Sequence, residues 1–257
     1  MAILEADKVT MRFGGLVALD QVSLQVEAGG VLGVIGPNGA GKSTLYNVLS
    51  GVYQPTSGQV FFQGENITGR KPHIIAQKGL VRTYQANKLF MTLSVLENIR
   101  IGCHIPAKTR IFGDVFRASS ARRNESEVQQ RANDIVKLVG LGGIADELAR
   151  NLTHGQQRVL GVAIGLAAEP KLLCLDEPLT GMNIKERRYM LGLIENVQRE
   201  NITILLIEHD VKSVMGICDR IMVLNFGRNI AEGKADEIRN NKEVIEAYLG
   251  KGEGNVA

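Results

Sequence analysis

Short runs of β-branched and aliphatic residues alternate along the chain with segments whose apolar positions recur at helical spacing, the pattern of an α/β protein. Val31 to Ile35, Leu172 to Leu175 and Thr203 to Ile207 are apolar without alternation. Such runs predict strands covered on both faces, and hence a mostly parallel sheet. Ile3 to Thr10 and Ser23 to Val26 read as strands of an antiparallel edge, and Gln59 to Phe62 as another after the turn Pro55-Thr56-Ser57-Gly58. Ile221 to Leu224 and Asn229 to Glu232 flank Asn225-Phe226-Gly227-Arg228, a hairpin-like turn. From about Thr92 to Leu166 the strand pattern stops, and helices are predicted over Ser94 to Gly102, Asn124 to Leu138 and Gly155 to Ala168. The basic stretch Lys108 to Arg123 reads as a long loop, either functional or a solvated face. One domain is expected over 1–250: a core at 1–85 and 167–250, a helical insertion at about 86–166, and a disordered tail at 251–257.

A length of 257 residues suits one domain with an inserted subdomain. The net charge of +3 is too small for a surface that tracks a phosphate backbone, so nucleic acid is not an expected partner. Cys103, Cys174 and Cys218 show no CxxC spacing and read as reduced thiols of a cytosolic protein. The first residues lack a basic segment followed by an apolar one, so no signal peptide is expected. The longest small and apolar run, Val159 to Ala168, is too short to span a bilayer, and membrane association is expected only through a partner.

Gly36, Pro37, Asn38, Gly39, Ala40, Gly41, Lys42 and Ser43 follow the strand Val31 to Ile35 and open a helical pattern with Thr44 and Leu45. This is a P-loop in its required setting between strand and helix. The glycines let successive N–H groups point at a β-phosphate, and the helix N-terminus adds its positive end. Lys42 supplies a cation to the β and γ oxygens of ATP, and the Ser43 hydroxyl a ligand for Mg²⁺. Lys171 to Leu175 form a hydrophobic strand ending in Asp176 and Glu177. Carboxylates at that end of a parallel strand sit where α/β folds bind ligands. Asp176 is therefore the candidate Mg²⁺ ligand and Glu177 the candidate base for an attacking water.

Other segments narrow the class. Leu152-Thr153-His154-Gly155-Gln156-Gln157-Arg158 resembles the signature of the ABC ATPases, usually Leu-Ser-Gly-Gly-Gln. Arg82-Thr83-Tyr84-Gln85 looks like their Q-loop, Leu179-Thr180-Gly181-Met182-Asn183 like the D-loop, and Ile207-Glu208-His209-Asp210 like the H-switch. Phe13 matches the aromatic that stacks on adenine. The motifs stand in the family's order from Phe13 to His209. The resemblance implies a P-loop NTPase core of mostly parallel sheet, an antiparallel β edge subdomain and an inserted α-helical subdomain. It further implies that Gln85 senses Mg²⁺ and attacking water and that His209 contacts the γ-phosphate. Leu152, Thr153, His154, Gly155 and Gln156 would complete the site of a second ATPase subunit, in a homo- or heterodimer. Taken singly, Gln85 could be a loop amide, His209 a satisfied strand-end histidine and Phe13 core. The chain departs from the pattern at His154, a side chain in a glycine place, and at Asn183, where Asp is commoner.

At finer grain the chain resembles the ATPase subunits of branched-chain amino-acid importers. The likeness rests on Met11 to Leu19, on Arg82 to Gln85 with Leu89-Phe90-Met91-Thr92, and on Ile207 to Gly216. The endings Ala235 to Asn241 and Val244 to Gly250 add to it. Importers of urea and short amides share much of this, as do ATPases of lipopolysaccharide export. The resemblance implies integral membrane permease partners, a place on the cytoplasmic face of the inner or plasma membrane, and no direct contact with cargo. A soluble ABC ATPase of DNA or ribosomes would usually join two modules or insert a coiled coil, whereas this chain has one P-loop and no sustained heptads. A phosphoryl transferase on the same scaffold would need an acceptor site or lid in place of Leu152 to Gln156.

Overall fold

The computed structural model describes residues 1–83, 89–111 and 118–249, without the side chains at 105–111, 118–124 and 249. Gln85, residues 112–117 of the basic stretch and the tail 251–257 lie outside the described residues. In chain order the elements are β1 (Ala2–Phe13), β2 (Leu16–Glu27), β3 (Val31–Ile35), α1 (Lys42–Leu49), β4 (Ser57–Phe62), β5 (Glu65–Asn66), α2 (Pro72–Gln77), β6 (Leu80–Arg82), α3 (Val95–Ile111), α4 (Ala118–Leu138), α5 (His154–Ala167), β7 (Leu172–Asp176), α6 (Ile184–Arg199), β8 (Thr203–Ile207), α7 (Val211–Met215), β9 (Arg220–Asn225), β10 (Arg228–Gly233), α8 (Ala235–Arg239) and α9 (Lys242–Leu249). They fall into two units, Met1–Ile75 with Glu195–Ala257, and Ala76–Ile194.

In the first unit, β1 lies between β2 and β4 in an antiparallel sheet that ends at β5. The β1–β2 hairpin is longer than alternation predicts. Its register shifts several times, including between Ala6 and Val9, and Lys8 and Gln21 take left-handed backbone angles, φ 45° and 50°. Each such shift flips the facing of the side chains and hides the period of two. The second sheet of this unit has β3 between parallel β8 and β9, with β10 antiparallel beyond β9. Every residue of β3 and β8 is buried, as runs without alternation require.

In the second unit β6 pairs in parallel with β7, Leu80 opposite Leu172 and Arg82 opposite Cys174. Three residues are too few for a periodicity to show, and the sequence does not predict β6. Helix α3 buries Val95, Ile99 and Cys103, one face at intervals of four; α4 buries Val128, Ala132, Ile135 and Val136; α5 buries Val159, Leu160, Ala163 and Leu166. The expected loop from Lys108 to Arg123 is corrected at both flanks, since α3 runs to Ile111 and α4 starts at Ala118. Ala and Arg are good helix formers, but without an apolar stripe they leave no periodic signal.

Ahead of α3, the fully buried Asn98 organises the chain. Its Oδ1 accepts from Phe90 N (3.0 Å), and its Nδ2 donates to the carbonyls of Phe90 (3.0 Å), Leu93 (3.3 Å) and Ser94 (2.9 Å). Phe90 and Met91 are thereby left 53% and 36% exposed. The three cysteines are free thiols, and burial raises all three pKa values, that of Cys218 to about 12. Among the described residues no helix is long and apolar enough to cross a membrane.

Candidate nucleotide site

The glycine-rich loop Gly36 to Ser43 belongs to the first unit. Strand β3 delivers the chain to Gly36, where a Cβ would stand 2.1 Å from the Leu224 carbonyl oxygen of β9. Only glycine fits there. Gly41, at φ 104°, opens α1 in a left-handed conformation that glycine adopts readily. Around Gly39 nothing lies within 4 Å of where a side chain would begin, so its backbone is open to a ligand. The loop is braced from behind: Ala40 O accepts from Gly227 N (2.9 Å), and Gly227 O accepts from Asp20 N (2.8 Å). Lys42 is buried, and its Nζ donates to the carbonyls of Gly36 (2.6 Å) and Pro37 (3.0 Å). Ser43 is exposed and Thr44 half-buried in the first turn of α1.

Helix α9 reaches the same loop. The Tyr248 hydroxyl is buried beside the Gly36 N–H. Burial pushes its pKa up to about 12 against a smaller opposing effect of that N–H. Phe13 ends β1 and is 42% exposed, so the core reading is set aside; its ring meets Tyr53 edge-on, centroids 5.4 Å apart at 77°. His209 follows β8 with its side chain 47% exposed, its Nδ1 3.7 Å from Oε2 of a completely buried Glu208. The same Oε2 accepts from His209 N (3.2 Å).

The acids and the signature-like segment belong to the second unit. Four buried residues of β7 precede the half-buried Asp176. Glu177 takes φ 46°, a left-handed angle that costs an L residue about 1–2 kcal/mol and marks a turn held in place by its surroundings. Thr180 does the holding: its N donates to Glu177 O and its Oγ1 to Glu177 Oε2, each at 3.3 Å. Thr153 is the N-cap of α5 in a capping box: Thr153 Oγ1 accepts from Gln156 N (3.2 Å), and Gln156 Oε1 accepts from Thr153 N (2.9 Å). Thr153 and His154 are exposed, Leu152 and Gly155 buried. The geometry leaves the Thr153 O–H free to donate outward, because as a cap it only accepts.

The model of the ABC transporter family matches residues 19–180. The chain belongs to that family. A branched-chain amino acid ATP-binding cassette transporter model matches residues 228–254 as well. The chain is 44% identical to the high-affinity branched-chain amino acid transport ATP-binding protein BraF of Pseudomonas aeruginosa, over 97% of this chain and 98% of that protein. It is 42% identical to LivG of Escherichia coli K12, with the same coverage. The solved ADP conformation of MJ1267, an ATP-binding cassette of an ABC transporter, superposes with a TM-score of 0.85 at 31% identity, covering 98% of this chain and all of that one. The chain is thus an ATP-hydrolysing ABC transporter subunit of α/β P-loop fold.

Within this ABC subunit, sequence reasoning named Phe13 and His209 but missed their neighbours Tyr53 and Glu208. Tyr53 had a faint signal as a lone aromatic just after the P-loop helix. Glu208 had a stronger one, an acid that directly continues a wholly buried strand. Replacing Lys42 with Ala removes the cation nearest the loop. Charge-assisted hydrogen bonds contribute about 1.5–3 kcal/mol, so titration calorimetry is expected to show ATP affinity falling roughly 10- to 100-fold.

Proposed function

We propose that this chain binds and hydrolyses Mg²⁺–ATP as one of two ATPase subunits driving a membrane importer of branched-chain or other hydrophobic amino acids. The observation that carries the cargo is the match of residues 228–254 to the branched-chain model, in a chain 44% identical to a branched-chain amino acid transport protein. In this reading the N–H groups of Gly36 to Thr44 hold the phosphates, and the exposed face of Phe13 stacks on adenine. Ser43 and Asp176 offer the hard oxygen donors that suit Mg²⁺, with Gln85 as a third. When bound, that ion supplies positive charge to the β and γ oxygens.

Glu177 takes the proton of the attacking water, and His209, backed by the buried Glu208, keeps its imidazole toward the γ-phosphate. Leu152 to Gln156 serve the nucleotide of a second subunit, Thr153 with its free O–H. Permease subunits carry the cargo and hold the ATPase at the cytoplasmic face of the membrane; nucleic acid has no part. The support for the permease is Phe90 with Met91, apolar side chains kept exposed by a buried asparagine, an arrangement that gains little unless a partner covers it.

Replacing Glu177 with Gln keeps the shape and removes the base, so kcat is expected to fall roughly 10²–10⁴-fold with ATP affinity unchanged. An unchanged rate would reject Glu177 as the base. A Phe90→Asp chain is expected to hydrolyse ATP normally in solution, yet to lose co-purification with the permease and uptake of labelled leucine. Normal leucine uptake by that variant would place the docking surface elsewhere, and uptake of urea instead of leucine would replace the cargo.

A further inference from the structure

His154 stands where the usual signature has no side chain, and the space for its ring has an identifiable source. A Cβ on Gly181 would lie 2.9 Å from His154 Cε1 and 3.1 Å from its Nδ1, so the imidazole lies against the bare backbone of Gly181. A second contact next to it runs the other way. A Cβ on Gly155 would lie 2.5 Å from Glu186 Oε1, so the Glu186 carboxylate covers the bare backbone of Gly155. The other oxygen of that carboxylate accepts from Asn183 N (3.0 Å), and Asn183 Oδ1 accepts from the N–H groups of Lys185 (3.0 Å) and Glu186 (3.1 Å). The start of α5 and the turn before α6 are thus locked by two glycines, each beneath the other segment's side chain. Asn183, the other departure from the family pattern, is the cap of this corner, which needs a hydrogen-bond acceptor but no charge.

The corner continues to the base. Gly181 follows Thr180, whose N–H and hydroxyl both engage Glu177. Contacts therefore run without a break from His154 through Gly181 and Thr180 to the Glu177 carboxylate. We infer that His154 is a positioning residue, coupling the signature segment, which serves the partner's nucleotide, to Glu177, which serves the chain's own. This rests on the roles proposed above for those two segments. A shift of the N-terminus of α5 on meeting a phosphate moves the imidazole against Gly181 and, through Thr180, reorients the base. One site then reports its occupancy to the other without a contact between the nucleotides.

The test is a double-mutant cycle in the full chain with His154→Ala, Gly181→Ala and both together, read as kcat and KM for ATP alongside melting temperature. His154→Ala is expected to lower kcat several-fold and to reduce the Hill coefficient, with melting temperature unchanged, because the ring is exposed. Gly181→Ala loses more, since its methyl meets the ring and φ 77° strains any L residue. Only the strain remains once the ring is gone, so the loss of kcat from Gly181→Ala is expected to be smaller on the His154→Ala background by at least about threefold. His154→Phe, which keeps a flat ring, is expected to restore kcat and the Hill coefficient. Amide hydrogen exchange at Thr180 to Met182 is expected to quicken in His154→Ala. Multiplicative losses in the cycle, or a His154→Ala chain with wild-type kcat, Hill coefficient and exchange, would overturn the inference. A wild-type chain without ATP turnover would instead count against the proposed function, and the exchange measurement would still decide the contact.

Discussion

The fold is arranged around one electrostatic demand, that backbone N–H groups must approach a polyanion with no side chain in the way. A loop that bare has little to hold it in shape, because glycine gives up the most conformational freedom on ordering. The first unit compensates with packing. Gly36 is pressed against the Leu224 carbonyl, and Ala40 is tied to the β9–β10 turn. Lys42 is kept buried with its ammonium on two loop carbonyls, a pairing that satisfies the charge and leaves it beside the place a phosphate would take.

The second unit meets a different demand. The turn after β7 holds Glu177 in an unfavourable backbone region through Thr180, which fixes the direction of its carboxylate. Strain of this kind persists only where neighbours over-determine it. The signature-like segment supplies part of that rigidity through its capping box and its two glycine contacts with the turn. His154 and Asn183 are then not defects in a pattern but the two sides of one fitted corner.

Features whose chemistry dictates residue type are visible in the sequence. The glycines of the loop after β3 and the wholly apolar runs of β3 and β7 could be read directly, because a tight bare loop needs glycine and a strand covered on both faces needs apolar residues throughout. The long β1–β2 hairpin was only half legible, since its bulges break alternation at Lys8 and Gln21. The ends of α3 and α4 toward the basic stretch were not, because a helix with no apolar stripe has no period. Least legible were contacts between positions distant in sequence. That Gly181 makes room for His154, that Tyr53 flanks Phe13, and that Glu208 is buried behind His209 depend on backbone geometry that no local pattern encodes.

In the proposed dimer a P-loop and a signature segment from different chains make one working site. Mixing two defective chains tests it most directly. Lys42→Ala disables the P-loop and leaves the signature. Thr153→Asp still caps α5, because Asp serves as well as Thr at that position, but it sets a carboxylate against the partner's γ-phosphate. Either chain alone is expected to hydrolyse ATP only weakly. The equimolar mixture is expected to recover roughly a quarter of wild-type turnover, half its dimers being mixed and each of those having one of two sites intact. A mixture no more active than the sum of its components would contradict the composite site.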